Sequence, residues 1–474
     1  MKTIGNLSEA FKAYDVRGLV GEQLTAETSE AVGAAFVETL GLAGQTVLVG
    51  HDMRESSPEF AAAFARGAAD RGGRVELLGL ISTDELYFAC GVRNAAGVVF
   101  TASHNPAEYN GMKMARAGAV PISADTGLFE IRDLALQYLE SSLPEPVDGG
   151  GVTEVDVLAE YAAYLRSLVD LSAIRPLKVV VDAGNGMGGM TTPAVLGQTV
   201  LPALPLTIEP LYFELDGTFP NHPANPLEPE NLRDLQAAVV RHGADVGLAF
   251  DGDADRCFVI DERGEPVTPS AITALVARRE IARAKAAGES EPVIIHNLIT
   301  SRAVPELVTA EGGRPVVTRV GHSFIKAVMA AEGGVFGGEH SAHYYFRDFF
   351  NADTGMLAAM HVLAALGEQD QALSELAEEF APYVASGEIN SQVQDKAAAT
   401  QAVVDLFTAD GAQHGDVRID TMDGTTISAI DGSWWFNLRP SNTEPFLRYN
   451  GEASDRDTME EIKDLVLNTV RSES

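Results

Sequence analysis

The sequence predicts an α/β protein of three or four domains. Short apolar runs rich in β-branched residues, such as Thr46–Gly50 and Arg74–Leu80, alternate with segments of helical character. This alternation is typical of mostly parallel sheets that are covered by helices. The chain has 474 residues, of which 46% are hydrophobic and 22% charged. At about 100–200 residues per domain, that is enough apolar material for several cores.

Composition also narrows the class of protein. No run approaches the ~20 apolar residues of a membrane helix, and the first residues lack the apolar core of a signal peptide, so we expect a cytoplasmic protein. Cys90 and Cys257 lie in apolar segments and are predicted to be small core residues. The net charge of −34 repels nucleic acid and anionic membranes, and we expect a partner of neither kind.

In the first segment, a helix between the two strands named above is expected to have Ser57 as its N-cap and Pro58 at its first position. A third strand, Val98–Phe100, runs into the polar turn that contains Ser103. Ligands of open α/β sheets bind outside the carboxyl ends of the strands. Ser103 is therefore a candidate nucleophile, although most serines in turns only bond nearby backbone groups.

The second segment begins with the predicted strand Lys178–Asp182, which leads into Gly184–Gly189. These glycines match G-x-G-x-x-G, and Leu211–Leu215 is predicted to be a second strand. A dinucleotide-binding site is therefore one alternative for this segment. The pattern is weak alone, because glycine-rich turns recur throughout α/β proteins. A further apolar strand, Val246–Phe250, ends in an acidic loop.

That loop carries Asp251, Asp253 and Asp255, spaced two residues apart. On an extended loop, this spacing puts three carboxylates on one side, within reach of a single cation. Oxygen ligands alone favour a hard ion, most simply Mg²⁺. A calcium-binding EF-hand requires glycine at the position of Arg256 and is excluded. Two alternatives remain open. The loop could belong to a phosphatase of the haloacid dehalogenase type, in which an aspartate is the nucleophile, or it could be a solvated acidic turn without a catalytic role.

Two further loops complete the pattern. Glu339, Ser341 and His343 share one glycine-opened loop with His340, and together they form a hydrogen-bonding surface suited to sugar hydroxyls. Two histidines at i and i+3 without a third soft ligand argue against zinc. In the last segment, a hairpin is predicted around Asp431-Gly432. It is followed by an arginine and by neighbouring residues with hydroxyl and amide side chains, and these groups together suit the binding of a phosphate. These residues are Arg439, Ser441, Asn442 and Thr443.

We expect domain boundaries that divide the chain into residues 1–147, 148–261, 262–376 and 377–474, so that each domain carries one of the four polar loops. In chain order the loops offer a hydroxyl nucleophile, a cation site, a surface for hydroxyls and an anion cradle. Together they fit phosphoryl transfer on a phosphorylated sugar, in which catalysis is mostly positioning and neutralisation of charge.

With these four loops in this order, the chain resembles the α-D-phosphohexomutase superfamily, and within it the bacterial phosphomannomutase/phosphoglucomutase family. The resemblance runs nearly end to end, from Tyr14-Asp15-Val16-Arg17-Gly18 to the loop at Arg439–Pro445. It implies a heart-shaped, four-domain enzyme: three α/β domains with mixed sheets, a smaller α+β C-terminal domain, and the site in a central cleft.

The resemblance also implies roles for individual residues. Ser103 would be the phosphoserine, and one of its oxygens would join the three aspartates around Mg²⁺. Arg256 would stabilise the phosphoryl group in transit, and His104 would support the serine loop. Glu339 and Ser341 would hold sugar hydroxyls. The phosphate that is not transferred would be bound by the loop residues Arg439, Ser441, Asn442 and Thr443. The other positions that the resemblance places in the cleft are Tyr14, Arg17, Lys113, His322 and His343.

The expected reaction interconverts hexose 6-phosphate and hexose 1-phosphate through a hexose 1,6-bisphosphate. His322 or Lys113 would be the general acid/base, and histidine is favoured because its pKa lies near neutrality. The Ser-Asn-Thr loop favours mannose or glucose, with mannose preferred, while His340 departs from the Met or Gln of the commoner bacterial form. A phosphoglucosamine mutase and a non-enzymatic sugar-phosphate-binding protein stay as alternatives, and we expect a monomer or homodimer.

Overall fold

The computed structural model describes residues 7–409, 415–441 and 446–472. Within these residues the strands form four sheets that follow one another along the chain, three of them mixed and the last antiparallel. The predicted α/β class with a smaller C-terminal domain is confirmed. Among the described residues, no helix is both long and apolar enough to cross a membrane.

The first sheet has the order β1-β5-β4-β2-β3-β7, with β6 beside β5. The strands are β1 (Val16–Leu19), β2 (Thr46–His51), β3 (Arg74–Leu80), β4 (Ala96–Phe100), β5 (Tyr109–Arg116), β6 (Val120–Pro121) and β7 (Gly151–Glu154). β5 is antiparallel to β4, so the sheet is mixed. The helices are α1 (Leu7–Ala10), α2 (Ala26–Leu40), α3 (Ser57–Asp70), α4 (Thr83–Val92) and α5 (Leu128–Ser141).

The second sheet has the order β12-β11-β10-β8-β9. Its strands are β8 (Leu177–Asp182), β9 (Leu206–Leu211), β10 (Val246–Phe250), β11 (Cys257–Ile260) and β12 (Pro266–Val267), with helices α6 (Leu158–Leu168), α7 (Gly188–Val195) and α8 (Arg233–His242). β7 and β12 lie beyond the expected boundaries at 147/148 and 261/262, and the domain limits stay a prediction.

The third sheet has the order β14-β13-β15-β16-β17. Its strands are β13 (Val293–Asn297), β14 (Arg314–Thr318), β15 (Phe336–Gly338), β16 (Tyr344–Phe346) and β17 (Ala352–Asp353). Its helices are α9 (Pro269–Ala286), α10 (Ala303–Ala310), α11 (His322–Glu332), α12 (Gly355–Gly367) and α13 (Leu373–Glu378). Thr354 caps α12, because its side chain accepts a hydrogen bond from the amide of Leu357.

The fourth sheet has the order β18-β23-β22-β21-β20, with β19 beside β23. Its strands are β18 (Val384–Ala385), β19 (Ile389–Gln392), β20 (Val417–Asp420), β21 (Thr425–Ala429), β22 (Trp434–Pro440) and β23 (Phe446–Ala453), with helices α14 (Lys396–Thr408) and α15 (Arg456–Ser472). Its hydrophobic core is separate, whereas one continuous core joins the first three domains through α4, α6 and α12.

Two local predictions are wrong. The N-cap of α3 is Ser56 rather than Ser57, and the Ser56 side chain makes no capping bond. Ser57 is the first residue of the helix, and its Oγ donates to Asp52 Oδ1. β9 spans Leu206–Leu211 instead of Leu211–Leu215. That strand is a partly exposed edge of the sheet and contains Pro210, which an edge strand tolerates, so its sequence carries little periodic signal.

Candidate active site

The serine loop follows β4 and presents Ser103 at the carboxyl end of that strand. Ser103 is 3% exposed, and its φ of 50° lies in the left-handed region, which non-glycine residues rarely adopt. Its amide donates to Thr101 Oγ1 at 2.9 Å. Ser103 Oγ donates to Asp251 Oδ2 at 2.9 Å and lies 3.2 Å from His104 Nδ1. The hydroxyl therefore faces the acidic loop of the second domain.

The acidic loop follows β10. One carboxylate oxygen from each of Asp251, Asp253 and Asp255 lies within 4.8 Å of the others, and all three side chains are buried. Among the described residues, Asp253 Oδ1 and Asp255 Oδ1 are buried without a hydrogen-bond partner. Three converging carboxylates with unsatisfied oxygens fit a hard divalent cation such as Mg²⁺.

Lys113, on β5, brings a positive charge to this cluster. Its Nζ lies 2.6 Å from Asp253 Oδ2 and 2.6 Å from Asp255 Oδ2. Burial opposes the charge, but the two carboxylates outweigh it and raise the pKa of Lys113 well above its ordinary value. Lys113 is thus held as an ammonium in this arrangement.

The same groups shift the carboxylates. Burial raises the pKa values of Asp251 and Asp255. Burial acts on Asp253 in the same direction, but the ammonium of Lys113 lowers the pKa of that carboxyl overall. Thr83, at the start of α4, adds a hydrogen bond from its Oγ1 to Asp253 Oδ2 at 2.6 Å. With Ser103, the first domain therefore supplies three side-chain partners to the carboxylate cluster of the second.

Arg256 joins the acidic loop to the serine loop. Its Nε and Nη2 lie 2.9 and 2.8 Å from Asp251 Oδ2, and Nη2 donates to His104 Nδ1 at 2.5 Å. Burial, reinforced by the charge of Arg256, lowers the pKa of His104 to about 2. His104 is thus a neutral ring whose Nδ1 accepts, and it supports the loop rather than carrying charge.

The predicted sugar loop follows β15. Glu339 is 2% exposed and accepts hydrogen bonds from Tyr345 Oη (2.6 Å), Asn297 Nδ2 (3.2 Å) and the amide of Gly321 (3.2 Å). Burial raises the pKa of Glu339. Ser341 Oγ lies 3.0 Å from His343 Nδ1. His343 Nε2 in turn lies 3.8 Å from Asp255 Oδ1, so this loop touches the acidic loop.

Tyr14 and Arg17 border the same region. Arg17 Nη1 donates to Asn105 Oδ1 at 2.6 Å, and Arg17 Nε lies 2.7 Å from Asp15 Oδ2. The ring of Tyr14 meets the ring of Phe324 edge-on at 6.1 Å. Phe324 belongs to the first turn of α11, which begins at His322, so the first domain reaches the third at this helix. The side chain of His322 lies outside the described part of the chain.

The fourth domain contributes Arg439 and Ser441 at the end of β22. Burial lowers the pKa of Arg439, while Asp423 and Glu339 are among the charges that raise it. The carbonyl of Ser441 accepts from Lys396 Nζ at 2.8 Å. Asp423 Oδ2 also accepts from the amide of Val320 at 3.1 Å, which brings the domain against the loop before α11. The predicted ligands Asn442 and Thr443 lie outside the described residues.

Four segments that cover most of the chain match one family. Residues 8–140, 159–264 and 268–383 match the alpha/beta/alpha domains I, II and III of phosphoglucomutase/phosphomannomutase, and residues 388–469 match the C-terminal domain. The chain belongs to the phosphoglucomutase/phosphomannomutase family. The resemblance predicted from the sequence motifs is thereby confirmed.

Individual members of the family are similar over nearly all of the chain. A phosphomannomutase of Salmonella montevideo is 40% identical over 450 residues, which cover 94% of each chain. A protein of Xanthomonas campestris pv. campestris named "Phosphohexose mutases" is 40% identical over 448 residues, again 94% of each. A solved phosphoglucomutase/phosphomannomutase family protein of Burkholderia thailandensis is 28% identical, with a TM-score of 0.83 and coverage of 100% of this chain and 98% of that one.

Within this family member, ten of the predicted residues form one continuous set of contacts across the first three domains. They are Ser103, His104, Lys113, Asp251, Asp253, Asp255, Arg256, Glu339, Ser341 and His343. The glycines at 184–189, considered for a dinucleotide, instead allow close packing: a Cβ at Gly186 would lie 2.6 Å from the carbonyl oxygen of Gly252.

Sequence reasoning missed four residues that donate hydrogen bonds to the site residues: Arg54, Thr83, Asn297 and Tyr345. One signal could have found the first and third of these. Arg54 and Asn297 lie at or just after the carboxyl ends of β2 and β13, as the other site residues do for their strands. No local signal marks Tyr345, whose hydroxyl meets Glu339 only because β15 and β16 form a hairpin.

Proposed function

We propose that this protein is a phosphohexomutase that interconverts hexose 6-phosphate and hexose 1-phosphate through a phosphoserine at Ser103. The observation that carries the proposal is the bond from Ser103 Oγ to Asp251 Oδ2 at 2.9 Å, within a cluster of three carboxylates. A hydroxyl that becomes phosphorylated here would have a cation site beside its phosphate. Phosphoryl transfer depends chiefly on such positioning and neutralisation.

Asp251, Asp253 and Asp255 would hold Mg²⁺ together with an oxygen of the serine phosphate. When bound, the ion would neutralise negative charge on the phosphoryl group during transfer. Lys113 and Arg256 bring two further positive charges to the same carboxylates. This local concentration of cations matters in a chain of net charge −34, because the substrate is an anion.

In the first half-reaction, a free hydroxyl of the hexose monophosphate attacks the phosphorus of phosphoserine. The new O–P bond forms as the bond to Ser103 Oγ breaks, and the hydroxyl proton passes to a base. This gives hexose 1,6-bisphosphate and the serine alkoxide, which takes up a proton. After the bisphosphate turns over, its other phosphate returns to Ser103 by the reverse steps.

His322 or Lys113 is proposed as the general acid/base. The ion pairs of Lys113 with Asp253 and Asp255 keep its proton on, so in this arrangement Lys113 cannot act as the base, and His322 is favoured for that role. His104 is a poor candidate for a base, because its pKa is about 2. Arg256 lies between the two loops and would stabilise the charge of the group in transit.

Glu339, Ser341 and His343 would bind sugar hydroxyls, and Tyr14 and Arg17 would line the same cleft. The phosphate that is not transferred would be held by Arg439, Ser441, Asn442 and Thr443. The relatives are named phosphomannomutase and phosphohexose mutase, and we propose mannose phosphate as the preferred substrate over glucose phosphate. The partner is a small phosphosugar, and we propose a cytoplasmic monomer or homodimer.

Peptide mass spectrometry across residues 98–113, before and after incubation with glucose 1,6-bisphosphate, tests this function. Phosphate on Ser103 that is lost when mannose 1-phosphate is added supports the cycle. An unmodified Ser103 without mutase activity would contradict it and favour an aspartyl phosphatase at Asp251 or a binding protein. The kcat/KM values for mannose, glucose and glucosamine 1-phosphates decide the sugar.

A further inference from the structure

Arg54 is a buried arginine beneath the serine loop. It follows β2, is 2% exposed, and donates to four backbone carbonyl groups. Nη2 donates to the carbonyls of Ser103 (2.9 Å) and Asn105 (2.6 Å), and Nη1 to those of Pro106 (2.8 Å) and Tyr109 (3.0 Å). All four acceptors belong to residues 103–109, which run from the loop after β4 to the first residue of β5.

A single guanidinium can donate hydrogen bonds to all four carbonyl groups, whereas an ammonium cannot. A guanidinium carries five N–H donors in a rigid plane, whereas lysine has three donors on a single atom. Buried carbonyls without partners are costly, and Ser103 itself has the left-handed φ of 50°. The unusual backbone of the loop therefore depends on a planar donor that reaches several carbonyls at once.

Arg54 is itself fixed from two sides. Asp52 Oδ2 lies 3.2 Å from its Nε, and Asp52 Oδ1 accepts from the amide of Arg54 at 3.0 Å and from Ser57 Oγ at 2.6 Å. From the second domain, the ring of Phe219 lies 5.2 Å from the guanidinium carbon. A Cβ at Gly217 would lie only 2.6 Å from Arg54 Cα. The guanidinium thus has little freedom to move.

We infer that Arg54 is a positioning residue that sets where Ser103 Oγ lies relative to Asp251. It contacts the carbonyl of Ser103 and not the hydroxyl, so it acts through the loop. This inference rests on the proposed phosphoserine function. Since Arg54 lies beneath the loop, its loss should lower kcat and leave KM nearly unchanged.

The test compares Arg54→Lys with Arg166→Lys as a matched control. Arg166 also gathers loop carbonyls, those of Val195 (2.7 Å), Gly197 (2.7 Å) and Pro202 (2.5 Å), but in the second domain away from Ser103. Steady-state kinetics are measured with mannose 1-phosphate, Mg²⁺ and glucose 1,6-bisphosphate. A displacement of about 1 Å can cost about 100-fold in rate, so we expect kcat of Arg54→Lys to fall about 100-fold with KM within about 3-fold.

Arg166→Lys should keep kcat within about 2-fold of wild type. Equal kcat values for the two variants, with active wild type, would overturn the positioning role alone. If Arg54→Lys does not fold, Asp52→Asn decides: it keeps the guanidinium but weakens its anchor, and kcat should fall about 10-fold, whereas a wild-type kcat overturns the inference. An inactive wild type that takes no phosphate on Ser103 would overturn the proposed function as well.

Discussion

Ser103 Oγ donates a hydrogen bond to Asp251 Oδ2 although the two residues are 148 positions apart and follow strands of different sheets. The serine hydroxyl and its acceptor are each positioned by a separate sheet. They meet because one continuous core joins the first three domains. The site therefore forms only when these domains pack together.

Metal removal should abolish activity. EDTA treatment would leave three buried carboxylates without their divalent cation, although Lys113 and Arg256 lie beside them, and added Mg²⁺ should restore turnover. Asp253→Asn removes one ligand charge, so the Mg²⁺ concentration for half-maximal activity should rise about 10- to 100-fold. Asp261→Asn, in a turn of the same domain, is the control and should need no more Mg²⁺ than wild type. Activity that EDTA leaves untouched would contradict the metal assignment.

Gly252→Ala should slow catalysis although it leaves the three proposed metal-binding aspartates unchanged. The new Cβ would lie 2.4 Å from the carbonyl oxygen of Ser103, so the serine loop must move. We expect kcat to fall at least about 10-fold and stability to drop by about 1–3 kcal/mol. Gly151→Ala meets no atom within 4 Å and is the matched control. If Gly252→Ala kept the wild-type kcat, the loop would not need its observed position.

Much of this arrangement was predictable from the sequence, because strands buried in the sheet carry strong signals. β10 was predicted with its observed limits, since five apolar residues end abruptly at Asp251. The four polar loops were found for the same reason. By contrast, the edge strand β9 was misplaced, because it is only partly buried and its residues do not alternate clearly.

The supporting contacts of the site were not predictable. Arg54 reaches carbonyls 49 to 55 positions further along the chain. Thr83 bonds Asp253 across 170 positions. Neither residue lies in a motif whose spacing records its partner, since the contact exists only once two sheets have packed. Sequence patterns indicated candidate site residues, but not the residues that hold them in place.

Arg439→Ala should weaken substrate binding more than turnover. A guanidinium that grips the distal phosphate contributes charged hydrogen bonds, and the loss of such bonds corresponds to about a 10- to 100-fold rise in KM. Arg418→Ala, at an exposed position on β20 of the same domain, is the control and should leave KM unchanged. Kinetics with mannose 1-phosphate measure both variants. A wild-type kcat/KM for Arg439→Ala would show that the phosphate is held elsewhere.

Glu85→Gln should stabilise the protein increasingly as pH rises. Burial raises the pKa of Glu85 from about 4.5 to about 8. Between these values the folded state binds more protons than the unfolded state, so this group's contribution to stability is full below pH 4.5 and is lost as pH rises toward 8. Gln removes the titration and can still accept the hydrogen bond from the amide of Ser82, which Glu85 Oε2 accepts at 2.8 Å.

Urea unfolding at pH 5 and pH 8 measures this effect. The free energy of unfolding of Glu85→Gln, relative to wild type, should grow over these three pH units by up to about 4 kcal/mol, since one unit corresponds to about 1.4 kcal/mol. Glu59→Gln, at an exposed position of α3, controls for the loss of one charge and should show no such trend. A difference between Glu85→Gln and wild type that stays constant with pH would mean that Glu85 is ionised in the folded protein throughout.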